Sequence, residues 1–179
     1  MIPVFLADGF EEIEALATVD ILRRAGLNVV TVGVGTCTPI GAHAISVHAD
    51  LAEDSLDLDE IDAIILPGGM PGTRNLEQSA VVQDTLRYAM DRALPVAAIC
   101  AAPSILGHAG YLQGRCATCY PGFESELTGA ILSNEGVVTD GNIITAAGAG
   151  VAVDFALELV ARLVSDDASQ QIRRGIQCR

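Results

Sequence analysis

The feature that most constrains the fold is an alternation of short apolar runs with longer amphipathic segments. Glycine, proline or aspartate follows most of the apolar runs, and these residues mark turns. Apolar residues three and four positions apart predict helices between the strands. Buried strands are predicted at residues 2–7, 28–35, 62–69 and 94–100, and helices at residues 11–25, 79–93, 103–110 and 151–164. We expect Gly26 to end the first helix and Ser79 to cap the second.

The apolar runs are continuous, which is typical of strands that are buried on both faces. We therefore expect an α/β protein with a mainly parallel sheet and helices on both faces, the flavodoxin-like doubly wound arrangement. Two hairpins are expected, one at the sheet edge in residues 36–49 and one in residues 134–150, with its turn at Asp140-Gly141. No linker, repeat or low-complexity stretch interrupts residues 1–179, so a single domain is expected.

The formal net charge of −13 limits the classes of partner. An acidic surface repels phosphate backbones and anionic lipid surfaces, so we expect neither nucleic-acid nor membrane partners. No apolar run reaches the ~18–20 residues of a membrane span, and the first residues lack the basic segment of a signal peptide. Five cysteines, an odd number, indicate reduced thiols in a chain with no export signal. A cytoplasmic location is therefore expected.

Cys100 lies between a predicted strand and a predicted helix, in the segment "PVAAICAAPSIL". Small neighbours allow a tight turn that lifts a side chain out of the sheet, as at the nucleophile elbow of hydrolases. The amides at the start of the following helix would then favour the thiolate and lower the pKa of the thiol. The alternative is a buried cysteine that packs as a small hydrophobic residue.

Two other segments are expected at the same edge of the sheet, where doubly wound folds bind ligands. The backbone N–H groups of Gly68-Gly69 could hold an oxyanion, although glycine pairs also form ordinary turns. The acids Glu11, Glu12 and Glu14 begin the first helix, where the helix dipole alone favours negative charge. Glu14 has a chemical role only if it points inward with a raised pKa, because a protonated carboxyl can donate to a thiolate.

Four segments together resemble the ThiJ/PfpI superfamily. They occur in the order and spacing of that superfamily, and they are "DGFEEIEALATVDILRRAG", "LPGGMPG", "AAICAAPSIL" and "GAGVAVDFALELV". The chain is similar over nearly its whole length to the branch of the human parkinsonism-associated protein, its bacterial relatives and the protein deglycases. The resemblance implies a homodimer that uses no cofactor.

The resemblance also implies roles for individual residues. Cys100 matches the reactive cysteine of the family, and Glu14 matches its inward glutamate. Gly68-Gly69 matches the glycine turn of the family. The amides of Gly69 and Ala101 are the implied oxyanion donors.

Several positions depart from the family pattern. Ala101 stands where the protease-like branch has histidine, which argues against a peptidase. Tyr120, in "ATCYPG", stands where relatives carry a histidine before proline, so Glu14 is expected to be the main acid and base. The Ser/Arg-Gly-Pro-Gly turn of the family reads "AAGAG" here. His43 falls near an arginine that approaches the partner subunit in relatives, and Arg24 matches one near the dimer interface.

Cys116 and Cys119 form a C-x-x-C pair whose role the sequence leaves open. Packing or incidental spacing, redox pairing and metal binding are the three interpretations. Two thiols do not complete a tetrahedral zinc site, and no second pair accompanies them, so no metal is predicted. Cys119 adjoins Tyr120 and is also a candidate resolving thiol for Cys100.

The expected function is detoxification of small reactive carbonyls such as methylglyoxal, of the glyoxalase or deglycase type, with Cys100 as nucleophile and Glu14 as proton shuttle. The same residues fit a sensor of oxidative stress, or a stress chaperone, that acts through oxidation of Cys100. A different small amide or ester is a third substrate class, because fold alone does not determine chemistry. The sequence contains no phosphate-binding loop and no complete dinucleotide-binding fingerprint.

Overall fold

A seven-stranded sheet forms the centre of the structure, a computed structural model that describes residues 1–178. The strands are β1 (Ile2–Leu6), β2 (Val29–Gly33), β3 (Leu51–Ala52), β4 (Ile64–Leu66), β5 (Val96–Ile99), β6 (Cys116–Ala117), β7 (Ile131–Leu132), β8 (Val137–Asp140) and β9 (Ile143–Ala146). The helices are α1 (Glu12–Arg24), α2 (Gly72–Gln78), α3 (Ala80–Asp91), α4 (Pro103–His108), α5 (Ala152–Leu163) and α6 (Asp166–Gly175). Short 3₁₀ helices lie at Glu53–Ser55, Leu58–Glu60, Glu124–Glu126 and Ala149–Val151.

Parallel pairing dominates the sheet, whose strand order is β3-β2-β1-β4-β5-β9-β8. β1 pairs in parallel with β2 and β4, β2 with β3, β4 with β5, and β5 with β9. β8 is antiparallel to β9 and completes the hairpin predicted at Asp140-Gly141. The strand order reverses between β1 and β4, as in a doubly wound fold. The predicted flavodoxin-like fold class is confirmed.

Helices cover both faces of the sheet. On one face, α1 and α5 pack around Leu6, Ile99 and Phe155. On the other face, α3 and α4 pack around Phe5 and Leu66. Burying a large apolar side chain such as Phe5 or Leu6 contributes about 1.5–3 kcal/mol. Burial on both faces explains why the strands read as continuous apolar runs.

Local hydrogen bonds define the ends of the helices. The Ser79 side chain caps α3, as predicted, by accepting the Val82 N–H at 3.3 Å. Glu11 caps α1 through the Ile13 N–H at 3.2 Å. Gly26 follows α1 with a φ of +76°, which glycine adopts without strain. The cap of α1 orients the first turn of that helix, which carries the acids of the candidate site.

The structure differs from the prediction in residues 36–49. A single antiparallel bridge, between Ile40 and Ser46, stands in place of the predicted edge hairpin. The Glu12 carboxylate holds this loop instead, by accepting the His43 N–H at 2.7 Å. The edge of the sheet is formed by β3, which is parallel to β2.

The elements α2, α6, β3 and the two-stranded parallel pair of β6 and β7 were not predicted from the sequence. α6 packs on α5, where the Ser169 hydroxyl donates to the Leu157 carbonyl at 2.8 Å. None of the helices in residues 1–178 has the length and apolar character that crossing a lipid bilayer requires.

Candidate active site

Three segments converge at the carboxyl edge of the sheet. β1 leads into α1 and Glu14, β4 ends before the turn Gly68-Gly69, and β5 ends before Cys100. Because β1, β4 and β5 are neighbours in the sheet, residues that are distant in sequence meet there. This is the edge at which doubly wound folds bind ligands.

Cys100 occupies a sharp turn between β5 and α4. Its φ is +66°, an unusual value for a residue that carries a side chain. The Cys100 N–H donates to the Ala146 carbonyl at 2.8 Å, and the Cys100 carbonyl accepts the Tyr120 N–H at 2.8 Å. Backbone strain of this kind costs about 1–3 kcal/mol and is concentrated at functional sites. The turn presents the half-buried thiol at the edge of the sheet.

The Glu14 side chain points inward from the first turn of α1 and is 1% exposed. Its Oε2 atom accepts the Gly68 N–H at 2.8 Å. Its Oε1 atom is buried and has no partner with hydrogen-bond geometry in residues 1–178, although the Cys100 thiol lies close enough to interact with the carboxyl. Leaving a buried charged oxygen unpaired is costly, so the surroundings favour a proton on this carboxyl.

Burial raises the pKa of the Glu14 carboxyl from 4.5 to about 7. The Gly68 N–H and the Cys100 side chain lower this pKa, and the charge of Glu11 raises it, but the loss of hydration dominates. A carboxyl that titrates near neutral pH can both donate and accept a proton. Glu14 is therefore inward and has a raised pKa, the two conditions that a chemical role requires.

Burial also raises the pKa of the Cys100 thiol, to about 12, and the charge of an ionised Glu14 adds to the rise. The amides of Gly69 and Ala101 lower the pKa, as predicted, but their effect is smaller. The prediction of a thiol with a lowered pKa is therefore wrong while Glu14 is charged. The physical reason is that desolvation and like charge together exceed the effect of the amides.

Cys100 and Glu14 titrate as a coupled pair. The pair loses its first proton near neutral pH and the second only in strongly alkaline solution. Between these pH values, the sulfur and the carboxyl share one proton. When Glu14 holds that proton, its negative charge is absent and it can donate to the thiolate. Formation of a Cys100 thiolate near neutral pH would therefore depend on a protonated Glu14.

The turn Gly68-Gly69 leaves no room for side chains. A Cβ atom at Gly68 would lie 2.6 Å from the Cys100 Cβ and 2.8 Å from the Glu14 Oε2. A Cβ atom at Gly69 would lie 2.4 Å from the Glu11 nitrogen, and the φ of Gly69 is +91°. Glycine at both positions allows the backbone amide to approach the sulfur.

Tyr120 lies beside Cys100 at the mouth of the site. Its ring faces Gly148, where a Cβ atom would lie 3.2 Å from the Tyr120 Cδ2 and 4.0 Å from the Cys100 Sγ. Tyr120 is 51% exposed, so its ring forms an open wall of the site. The sequence analysis does not single out Gly148, and the segment "AAGAG" is the signal that marks it.

His43 and Arg24 lie near opposite ends of α1. The His43 Nδ1 atom is 2.8 Å from the Glu12 carboxylate and 3.3 Å from that of Glu11. The hydrogen bond to Glu12 and the charges of both acids raise the pKa of His43. Arg24 pairs with Asp20 at 2.6 Å in the last turn of α1. Arg24 is thus separated from the site by the length of the helix, whereas His43 adjoins the first turn.

One group of potential metal ligands is present in the described part of the chain. It consists of Glu11, Glu12 and His43, whose ligand atoms lie within 4.8 Å of one another. Both carboxylates already have protein partners, because Glu11 caps α1 and Glu12 holds the loop at His43. Folding of the loop accounts for the cluster, and we assign no metal to it.

The C-x-x-C pair is divided between surface and core. Cys116 is exposed, Cys119 is buried, and both are free thiols. Burial, together with the charge of Glu124, raises the pKa of Cys119 to about 11. Cys119 packs in the hydrophobic cluster under α3 and α4, whereas Cys100 packs against the cluster on the opposite face of the sheet. This placement favours packing over a resolving role for Cys119.

Comparison with known proteins agrees with the motifs. The model of the DJ-1/PfpI family matches residues 1–162. The chain is 33% identical to the protein dj-1beta of Drosophila melanogaster over 176 residues, which are 97% of this chain and 94% of that protein. It is 35% identical to a deglycase of Pyrococcus horikoshii over 142 residues, which are 78% of this chain and 84% of that protein.

A solved structure is also similar to this chain. The solved structure of oxidized DJ-1 from Toxoplasma gondii superposes on this chain with a TM-score of 0.95 at 32% sequence identity, over 98% of this chain and 97% of that one. The match to the family model includes the segments that carry Glu14, Gly68-Gly69 and Cys100. The chain therefore belongs to the DJ-1/PfpI family.

Proposed function

We propose that the protein converts small reactive carbonyls such as methylglyoxal into 2-hydroxy acids, with Cys100 as nucleophile and without a cofactor. One observation carries this proposal: the buried Glu14 carboxyl, with a pKa of about 7, lies beside the Cys100 thiol. The reaction moves a proton between two adjacent carbons, and a group that titrates near neutral pH can perform this transfer. Relatives named as deglycases support a function of the glyoxalase or deglycase type.

The first step is addition of the Cys100 thiolate to the aldehyde carbon. A carbon–sulfur bond forms, and the electron pair of the carbonyl double bond moves to the oxygen. The amides of Gly69 and Ala101 act on the sulfur and are near enough to stabilise the new oxyanion. Glu14 gives its proton to this oxygen, which leaves a hemithioacetal and an ionised Glu14.

The second step uses the ionised Glu14 as a base. Glu14 removes the proton from the former aldehyde carbon and returns it to the adjacent carbon, while the hydroxyl proton passes to the adjacent oxygen. The product is a thioester of the 2-hydroxy acid on Cys100. Water cleaves this thioester, releases lactate and regenerates the thiol. The whole reaction adds one water molecule and needs no oxidant or reductant.

Hydrolysis of peptides, amides or esters has less support. In residues 1–178, no histidine is among the groups that act on the Cys100 thiol. Ala101 and Tyr120 stand at the two positions where a histidine would assist the nucleophile in relatives. Protonation of an amine leaving group would therefore fall to Glu14 alone.

The direct test is incubation of the reduced protein with methylglyoxal, in the presence of a chelator and without glutathione. We expect D-lactate to form as methylglyoxal disappears, at a rate proportional to protein concentration. Protein alkylated at Cys100 is the control and should form none. Loss of methylglyoxal without lactate would mean only that the aldehyde modifies side chains, and it would refute the proposal.

A second candidate function is a sensor or chaperone that responds to oxidative stress through Cys100. Two observations favour it: the Cys100 sulfur faces two amides and a carboxyl that can hold sulfinate oxygens, and the similar Toxoplasma gondii protein was solved in an oxidized form. After mild peroxide treatment, we expect mass spectrometry to find sulfinate on Cys100 before the exposed Cys37 and Cys116 are oxidised. Equal oxidation of all the thiols would contradict this function.

We further propose that the protein is a cytoplasmic homodimer. Ile13 and Leu16 on α1 and Ile45 on the adjoining loop are exposed, and together they provide an apolar contact surface. The cytoplasm keeps thiols reduced, which fits the free thiols of Cys37, Cys100, Cys116 and Cys119. Light scattering tests the assembly, and the mass of a single chain would contradict it.

A further inference from the structure

His108 is a charged residue that the proposed mechanism does not use. It is the last residue of α4, the helix that follows the Cys100 turn. Its Nδ1 atom is 2.5 Å from the Oε1 of Glu77 in α2. Its Nε2 atom is 2.8 Å from the Oε2 of Glu126, in the 3₁₀ helix Glu124–Glu126. The two ring nitrogens therefore face carboxylates from two other segments of the chain.

This arrangement requires a protonated ring. A neutral imidazole has one N–H donor, so its second nitrogen would direct a lone pair at a carboxylate. An imidazolium donates to both carboxylates. The hydrogen bonds to Glu77 and Glu126 accordingly raise the pKa of His108. The other charged side chains on the three segments are Arg74 in α2 and Glu124 in the 3₁₀ helix.

The three segments that meet at His108 continue directly from the candidate active site. α2 begins three residues after Gly69, and α4 begins three residues after Cys100. The 3₁₀ helix Glu124–Glu126 follows Tyr120, whose N–H donates to the Cys100 carbonyl. A contact at the far ends of these segments can thus fix the relative positions of the two turns and the tyrosine.

A cavity of about 270 Å³ lies against this contact. Its lining includes Met70, Ser104 and His108. Met70 follows Gly69 in the chain, and the Ser104 hydroxyl donates to the Ala101 carbonyl at 2.7 Å. The cavity therefore borders the His108 ring and two residues, Met70 and Ser104, that adjoin the site in the chain or by a hydrogen bond.

We propose that His108 is a positioning residue for the Cys100 site, because its imidazolium binds Glu77 and Glu126 at once and so holds together the segments that carry the site. The inference rests on the proposed role of Cys100 as the reactive thiol, but not on the identity of the substrate. Since the His108 pKa is raised above 6.5, the contact is complete below that pH and is lost as the pH rises through the raised value.

The test measures alkylation of Cys100 by iodoacetamide, quantified on the Cys100 peptide, as a function of pH. For His108→Gln, we expect a rate about three- to tenfold below that of the wild type at about pH 6.5. The difference should shrink as the pH rises through the raised His108 pKa and the wild-type ring loses its proton. His108→Arg keeps its charge and can bind both carboxylates. At every pH, its rate of Cys100 alkylation should therefore exceed that of His108→Gln by the factor that the wild type shows at about pH 6.5. Glu126→Ala removes one of the two acceptors and should reproduce the deficit of His108→Gln.

His48→Gln is the matched control, because His48 is exposed and makes no hydrogen bond or ion pair in the described residues. It should show the wild-type profile. A profile of His108→Gln that equals the wild type, or a deficit that is constant with pH, overturns the positioning role. Alkylation of Cys100 needs no catalytic turnover. If the alkylation profiles are as expected but the protein forms no lactate, only the proposed function is refuted.

Discussion

Replacing Cys100 with serine is expected to lower the rate of lactate formation from methylglyoxal by about 10³-fold or more. A serine hydroxyl ionises only in far more alkaline solution than a thiol, and Glu14, with a pKa of about 7, cannot deprotonate it to a useful extent. The backbone bonds of the turn, to Ala146 and Tyr120, do not involve the sulfur, so the fold should persist. Lactate assays at saturating methylglyoxal, with thermal unfolding measured in parallel, test this expectation.

Cys37→Ser is the control for the loss of a thiol, because Cys37 is exposed and lies outside the site. It should keep the wild-type rate. A Cys100→Ser protein that folds and retains its activity would contradict the covalent mechanism. Equal losses in the two variants would contradict it as well, since they would indicate a reaction of thiols in general.

The sheet could be predicted because its central strands are buried on both faces. The run at residues 62–69 has no polar face, and β4 lies within it. Helices with few apolar residues left a weaker pattern. α2 reads GTRNLEQ and α6 reads DDASQQIRRG, and Ser169 is the buried residue of α6. α6 nevertheless has local signals that were missed: the Ser165 cap, acids in its first turn, arginines in its last turn, and Ala168 and Ile172 four positions apart against the core.

The predicted hairpin in residues 36–49 is reduced to one antiparallel bridge. Its backbone N–H groups have an alternative acceptor in the Glu12 carboxylate, which lies 31 positions before His43. An acceptor so distant in sequence cannot be recognised from the turn residues of the loop. The β8–β9 hairpin, by contrast, was predictable because Asp140-Gly141 defines its turn locally.

The residues of the candidate site could be predicted more completely than their protonation states. Cys100 follows a strand and precedes a helix, which is a local pattern, and the resemblance to a family adds Glu14 as its partner. The pKa of the thiol depends on burial and on the Glu14 charge, which only the folded structure reveals. The contact of His108 with Glu77 and Glu126 was missed because its members come from three segments with no shared pattern.

Replacing Glu14 with glutamine is expected to lower activity while it raises stability. Glutamine can still accept the Gly68 N–H and offer an N–H to the sulfur, but it cannot transfer a proton between carbons. The rate of lactate formation should fall by about 10²–10⁴-fold. The neutral amide also avoids the cost of an ionised carboxyl in a buried position, so the free energy of unfolding of the variant should exceed that of the wild type in alkaline solution.

The pKa of Glu14 determines the sign and size of this stability effect. Between 4.5 and about 7, folded Glu14 holds a proton that the unfolded chain has lost, so the wild-type free energy of unfolding falls as the pH rises through this window, by about 3 kcal/mol. Denaturant unfolding at about pH 5 and about pH 8.5 measures the fall. In Glu14→Gln the fall should be smaller by this amount, while the part that comes from the raised pKa values of His43 and His108 remains. Glu135→Gln removes an exposed acid whose side chain has no hydrogen bond in the described residues, and it should retain the fall. A Glu14→Gln protein with the wild-type pH dependence would contradict a protonated, buried Glu14.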